Sequence, residues 1–122
     1  MMKYDDNNVF AKILRGEIPC KKIYEDEFVL SFYDINPQKK VHALVIPKGK
    51  YTDLDDFSSK ASSEEMVGLL KGINTVAKKL GISTDTGKGY RALANISEDG
   101  GQEVPHLHFH LFGGEKIGKM VQ

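Results

Sequence analysis

The segment His106-Leu107-His108-Phe109-His110-Leu111 alternates strictly between imidazole and apolar side chains. A period of two is that of a β-strand, so the three imidazoles share one face and Leu107, Phe109 and Leu111 share the other. The apolar face asks for a core, and the imidazole face lines something else. Three imidazoles about 7 Å apart serve no packing purpose that threonine or valine would not serve better. The chain is therefore layered around at least one two-faced strand, and that strand carries three of its four histidines.

The other elements agree with a layered α+β fold. Asn7 or Asn8 caps a short first helix in which Phe10, Ile13 and Leu14 recur at helical spacing before Gly16. Lys22 to Tyr24 and Phe28 to Tyr33 read as a hairpin around Glu25-Asp26-Glu27, and Val41 to Ile46 as a third strand stopped by Pro47. A long helix is expected from about Ser63 to Leu80, where Met66, Leu69, Leu70, Ile73, Val76, Ala77 and Leu80 form one stripe. Ser62 and Glu65 make a capping box at its start and Gly81 ends it. Tyr90 to Ile96 and Pro105 to Phe112 complete five strands, and short connections favour antiparallel pairing.

At 122 residues, 40% hydrophobic and 28% charged, the chain reads as one domain over residues 1–122. Seventeen basic and seventeen acidic residues cancel. That balance argues against nucleic acid or an anionic membrane as the main partner. The single cysteine, Cys20, cannot form an internal disulfide. No secretory signal and no apolar run of about eighteen residues is present, so the cytoplasm is the expected compartment.

Histidines on one strand face can do two kinds of chemistry. They can ligate zinc, which accepts imidazole nitrogens. Alternatively, a neutral imidazole can attack phosphorus and carry it as a covalent intermediate. The neighbourhood favours the second. Asp99-Gly100-Gly101-Gln102 is a glycine turn able to aim amides at an anion, and Asn95 ends the preceding strand with amide hydrogens to donate.

Residues 101–112, GQEVPHLHFHLF, closely resemble the signature of the histidine triad (HIT) family. Glu17-Ile18-Pro19, the segment from Phe32 to Gln38, and that from His42 to Lys48 resemble further motifs of the family, in the same order. The match is strongest to the Hint branch, the histidine triad nucleotide-binding proteins. It implies a five-stranded antiparallel sheet carrying an amino-terminal and a long helix, paired with a second copy into a homodimer with one continuous sheet. It also implies hydrolysis of purine nucleoside phosphoramidates or acyl nucleotides without a required cofactor. His108 would be the nucleophile and His110 a phosphoryl contact, with His106 and His42 orienting and tuning the nucleophile. Asn95, Gly101, Gln102 and Glu103 would join His108 and His110 around the phosphate. Asp34 would accept from the ribose hydroxyls, and Val9, Phe10, Ile13, Ile18, Phe32 and Ile35 would line the purine slot.

Two departures accompany the resemblance. Some relatives hold a structural zinc at positions where this chain has Asn8, Ala11 and Lys50, so no structural zinc is expected. Glu103 stands where animal relatives carry serine; its carboxylate could pass a proton to a leaving amine, or repel phosphate. A nucleotide-binding adaptor with vestigial hydrolysis, a zinc hydrolase and a diadenosine polyphosphate hydrolase are the alternative readings.

Overall fold

A computed structural model describes residues 3–121. The elements run α1 Val9–Leu14, β1 Lys22–Glu25, β2 Val29–Tyr33, β3 Val41–Pro47, α2 Leu54–Lys60, α3 Ser63–Lys79, β4 Arg91–Leu93 and β5 Phe109–Gly113. The strands form one antiparallel sheet in the order β1-β2-β3-β5-β4, so the last strand inserts between the third and fourth. This is the expected α+β architecture.

Local chemistry explains most of the boundaries. Asn8 caps α1 by accepting from the Ala11 amide, and the Ser62–Glu65 capping box opens α3 with both reciprocal hydrogen bonds in place. Gly81 follows the end of α3 with φ of 71°, the left-handed region that glycine adopts without strain.

Helices cover both faces of the sheet. Leu69, Ile73 and Val76 of α3 pack with Val29, Ala43, Val45, Leu107 and Leu111 on one face. On the other, Phe10 of α1 packs with Leu30, Phe32, Leu44 and Ile46. Strand β3 is accordingly buried from His42 to Pro47, as a strand covered on both sides must be. His42, on the α1 face, is thereby a buried polar group in an apolar strand.

Four sequence expectations need correction. Helix α2 was not anticipated: Asp53 caps it by accepting from the Asp56 amide, and Phe57 is its one buried apolar anchor, too few for a visible period. The fourth strand is three residues long rather than seven. The fifth starts at Phe109 rather than Pro105: its ladder with β3 ends where Val45 pairs with Phe109, and two residues on, at the end of β3, Pro47 has no N–H to give. In the long helix, Leu70 lies 68% exposed, off the buried stripe.

Candidate active site

The histidine run enters the sheet on the α1 face. His110 lies across from Leu44 and His42 across from Phe112, so the His42 and His110 rings meet with centroids 5.2 Å apart. His108, one step before the ladder, sets its ring edge-on to Phe10 at 4.9 Å. His106 turns inward and is fully buried.

Hydrogen bonds assign the protons on these rings. The His108 Nδ1 lies 2.7 Å from the His106 carbonyl oxygen, which can only accept; Nδ1 therefore donates and Nε2 keeps its lone pair. The Gln38 amide donates to His42 Nδ1 at 3.1 Å, so His42 carries its proton on Nε2. That Nε2–H donates to His110 Nδ1 at 2.9 Å, which leaves the His110 proton on its own Nε2. His106 donates from Nε2 to the Pro47 carbonyl at 2.9 Å and accepts the Tyr4 hydroxyl on Nδ1 at 2.6 Å. One imidazole thus offers a lone pair and its neighbour an N–H donor.

Both face a cavity of about 380 Å³ lined by Phe10, Asp34, Asn36, Gln38, His42, Leu44, Asn95, Gly101, Glu103, Val104, His108 and His110. Three larger cavities among the described residues, of about 550, 980 and 760 Å³, have no histidine in their linings. Of the residues named from the sequence, Asp34, Phe10, Asn95, Gly101, Glu103 and three histidines meet here, while His106 stands behind His108. Asp34 Oδ2 approaches His42 Nε2 at 3.5 Å, and its Oδ1 accepts the Asn36 amide at 2.8 Å.

Other named residues do not line the cavity. Phe32 is in the core beneath it, Ile13 packs on that core, Ile18 is half-buried, and Val9 and Ile35 point to solvent, Ile35 at 90% exposure. Gln102 braces the loop instead: its Nε2 donates to the Thr52 and Val104 carbonyls and its Oε1 accepts from Ser97. The Gly101 and Gln102 amides donate to the Glu98 and Ser97 carbonyls within the turn. The glycines are nonetheless required. Gly101 has φ of 76°, and a Cβ on Gly100 would lie 2.5 Å from the Ile96 carbonyl oxygen. Sequence reasoning missed Tyr4, Gln38, Leu44 and Val104, none of which carries a signal of its own in a single sequence.

Burial depresses every imidazole of the group. His106 and His110 fall to about 4, and His108 and His42 are lowered, with Asp34 opposing the shift at His42. At neutral pH all four are uncharged, as a lone-pair nucleophile requires. The unfolded chain, with histidine near pKa 6.5, binds protons first on acidification, so the contribution is complete above about pH 6.5 and is lost as pH falls toward about 4. Carboxylates held low, such as Glu25 at about 2 beside Lys22 and Lys48, act below about pH 5. The urea midpoint is therefore expected to stay level above pH 6.5 and to fall between pH 6.5 and 5. A midpoint rising through that window would contradict neutral buried imidazoles.

The positions that hold zinc in some relatives do not supply its donor set. Asn8 is engaged as the α1 cap and donates to the Asp5 carbonyl, and Ala11 has no ligand atom. Lys50 pairs with Asp6 at 2.8 Å, and His106 Nδ1 is taken by Tyr4. A different trio, Asp34, His42 and His110, brings three ligand atoms within 4.8 Å of one another, but its two histidines are joined by the hydrogen bond already described.

Comparison with known proteins decides the family. The HIT domain model matches residues 15–117. The chain belongs to the HIT family. Among HIT proteins it is 55% identical over 118 residues to an uncharacterized 13.2 kDa HIT-like protein of Azospirillum brasilense, covering 97% of this chain and 94% of the relative. It is 38% identical over 117 residues to the purine nucleoside phosphoramidase of Escherichia coli, covering 95% and 94%. A HIT family hydrolase from Clostridium thermocellum superposes with a TM-score of 0.85 at 38% identity, covering 97% and 99% of the two chains. The HIT fold expected from four separated motifs is the fold observed. Among the described residues, no helix is long and apolar enough to cross a membrane.

Proposed function

We propose that the protein hydrolyses purine nucleoside 5′-phosphoramidates, or acyl nucleotides, at the α-phosphorus through a nucleotidyl adduct on His108. The carrying observation is the His108 imidazole: its Nδ1 proton is held by a backbone carbonyl and its Nε2 lone pair is open to a cavity that also presents an imidazole N–H and a carboxylate. The 38% identity to a purine nucleoside phosphoramidase supports the substrate class.

In the first step the Nε2 lone pair forms a bond to phosphorus as the bond from phosphorus to the leaving nitrogen breaks. The electron pair goes to that nitrogen, which takes a proton at the cavity mouth, where Glu103 stands exposed to water. The imidazole becomes cationic, and the His106 carbonyl on Nδ1–H stabilises that charge. His110, its Nε2–H directed by the relay from Gln38 through His42, donates to the phosphoryl oxygens as their charge grows. Water then attacks phosphorus and gives up one proton to solvent at the cavity mouth beside Glu103, the bond to Nε2 breaks with its electron pair returning to the imidazole, and the nucleoside monophosphate leaves with neutral His108 restored. Phe10, Leu44 and Val104 provide an apolar wall for the purine, and Asp34 accepts from the ribose hydroxyls.

The same reading pairs two copies edge to edge. The sheet offers β4 for this, an outer strand of three residues flanked only by β5 among the described residues, and sedimentation at twice the monomer mass is the expected result.

Purified protein given adenosine 5′-phosphoramidate is expected to release AMP at an unchanged rate after chelator treatment. AMP binding without release would favour the adaptor reading. Loss of rate on chelation would favour metal-assisted hydrolysis.

A further inference from the structure

We propose that Tyr4 is a positioning residue for His108, acting through the His106 ring and the His106 backbone carbonyl. The inference rests on the nucleophile assigned above.

The carbonyl that holds the His108 proton lies outside the sheet ladder, since β5 begins only at Phe109. Its direction depends on the anchors of residues 105–108. The backbone supplies two, with the Leu107 amide donating to the Tyr51 carbonyl at 2.8 Å and the His106 amide to the Val104 carbonyl at 2.9 Å. The His106 side chain supplies the others. Its two ring nitrogens bind opposite partners, Nε2–H the Pro47 carbonyl at the end of β3 and Nδ1 the Tyr4 hydroxyl at 2.6 Å. The Tyr4 ring meets the imidazole edge-on, with centroids 5.6 Å apart.

His106 has no exposed surface, so an unbonded Nδ1 would be a buried acceptor without a partner. With the hydroxyl present, the imidazole is fixed at both ends and the carbonyl two atoms from its Cβ is fixed with it. Tyr4 itself is held by the segment that leads into α1, where Asn8 donates to the Asp5 carbonyl and accepts from the Ala11 amide as the helix cap, while the Asp6–Lys50 pair lies on the surface and takes no part in placing the hydroxyl. The amino-terminal segment thereby closes a chain of hydrogen bonds, Tyr4 to His106 to His108, ending one atom pair from the reacting lone pair. Tyr4 lines no part of the cavity and touches no position where substrate would sit.

The test is Tyr4→Phe, which keeps the ring and removes only the hydroxyl, beside Lys50→Met, which breaks the segment's ion pair but leaves the hydroxyl. For Tyr4→Phe, kcat on adenosine 5′-phosphoramidate is expected to fall about tenfold with KM within about twofold, because orientation of the nucleophile is lost and no binding group is altered. The His108 Nδ1–H resonance should also exchange with water about tenfold faster. Lys50→Met should match the wild type in both. Wild-type kcat and exchange in Tyr4→Phe would overturn the inference, and so would equal losses in both variants. If the wild type releases no AMP, the phosphoramidate reading fails by itself, and the exchange rates still decide the role of Tyr4.

Discussion

Replacing His108 by asparagine is expected to lower kcat on adenosine 5′-phosphoramidate by at least about 10³-fold while AMP binds within a few-fold of the wild type. Asparagine is the informative replacement because its Nδ2 falls near the place of the imidazole Nδ1 and can donate to the same His106 carbonyl, 2.7 Å from the native ring. The bond that shapes the loop survives and only the Nε2 lone pair is removed. Phe10, Asp34 and His110 keep their places around the cavity, so nucleotide affinity has no cause to change much. Steady-state rates and calorimetric AMP titration read the two quantities separately. A variant with a tenth of the native rate would show that phosphorus is attacked by something else, water on His110 or Glu103 being the remaining groups in reach.

Leu111→Ala is expected to cost about 3 to 4 kcal/mol of stability. Leu111 is fully buried in β5, the strand inserted between β3 and β4, and packs on the α3 face with Ala43 and Val45. Its deletion leaves a void enclosed by sheet on either side, and backbone held in two ladders cannot collapse far to fill it. The next residue back, His110, projects from the opposite face, so the folded fraction should keep most of its turnover. Urea unfolding at pH 7 measures the loss, and a change below about 1 kcal/mol would mean that α3 repacks onto the strand.

The contrast between these two residues shows what a single sequence can carry. Strict alternation placed His110 and Leu111 on opposite faces, and the structure keeps them there. The same alternation overreached at Pro105 to His108, where its two-residue period persists after the ladder has ended. The reason lies in the partner strand, since Pro47 closes β3 and a proline's effect on a strand 60 residues away has no local mark. Capping chemistry placed the starts of α1 and α3 because its donors and acceptors are three residues apart. Helix α2 stayed hidden because one buried phenylalanine makes no period, although Asp53 before Asp55 and Asp56 is a capping signal in hindsight.

The site divides in the same way. Of the residues tied to motifs, His42, Asp34, His108 and His110 converge on one cavity, with His106 buried behind His108. Among the apolar residues named for the purine slot, Phe10 lines the cavity, Phe32 and Ile13 pack in or on the core and Ile35 faces solvent, and an isoleucine in a sequence carries no sign of which place it will take. Tyr4 and the Gln38 amide could not have been found, because each acts through a contact with a residue that only the fold brings near, across 102 positions for Tyr4 and His106. Gln102 sits in the expected loop, and its side chain holds that loop to the Thr52 and Val104 carbonyls, contacts that no local pattern announces.

The adduct itself is the most direct test of the chemistry. Protein mixed rapidly with adenosine 5′-phosphoramidate and quenched without acid should show, by intact mass, a fraction heavier by one adenylyl group, mapped to His108 and absent from His108→Asn. Full turnover with an unmodified mass at every quench time, under conditions where the second step is slowed, would mean that water attacks phosphorus directly and that no covalent intermediate forms on His108.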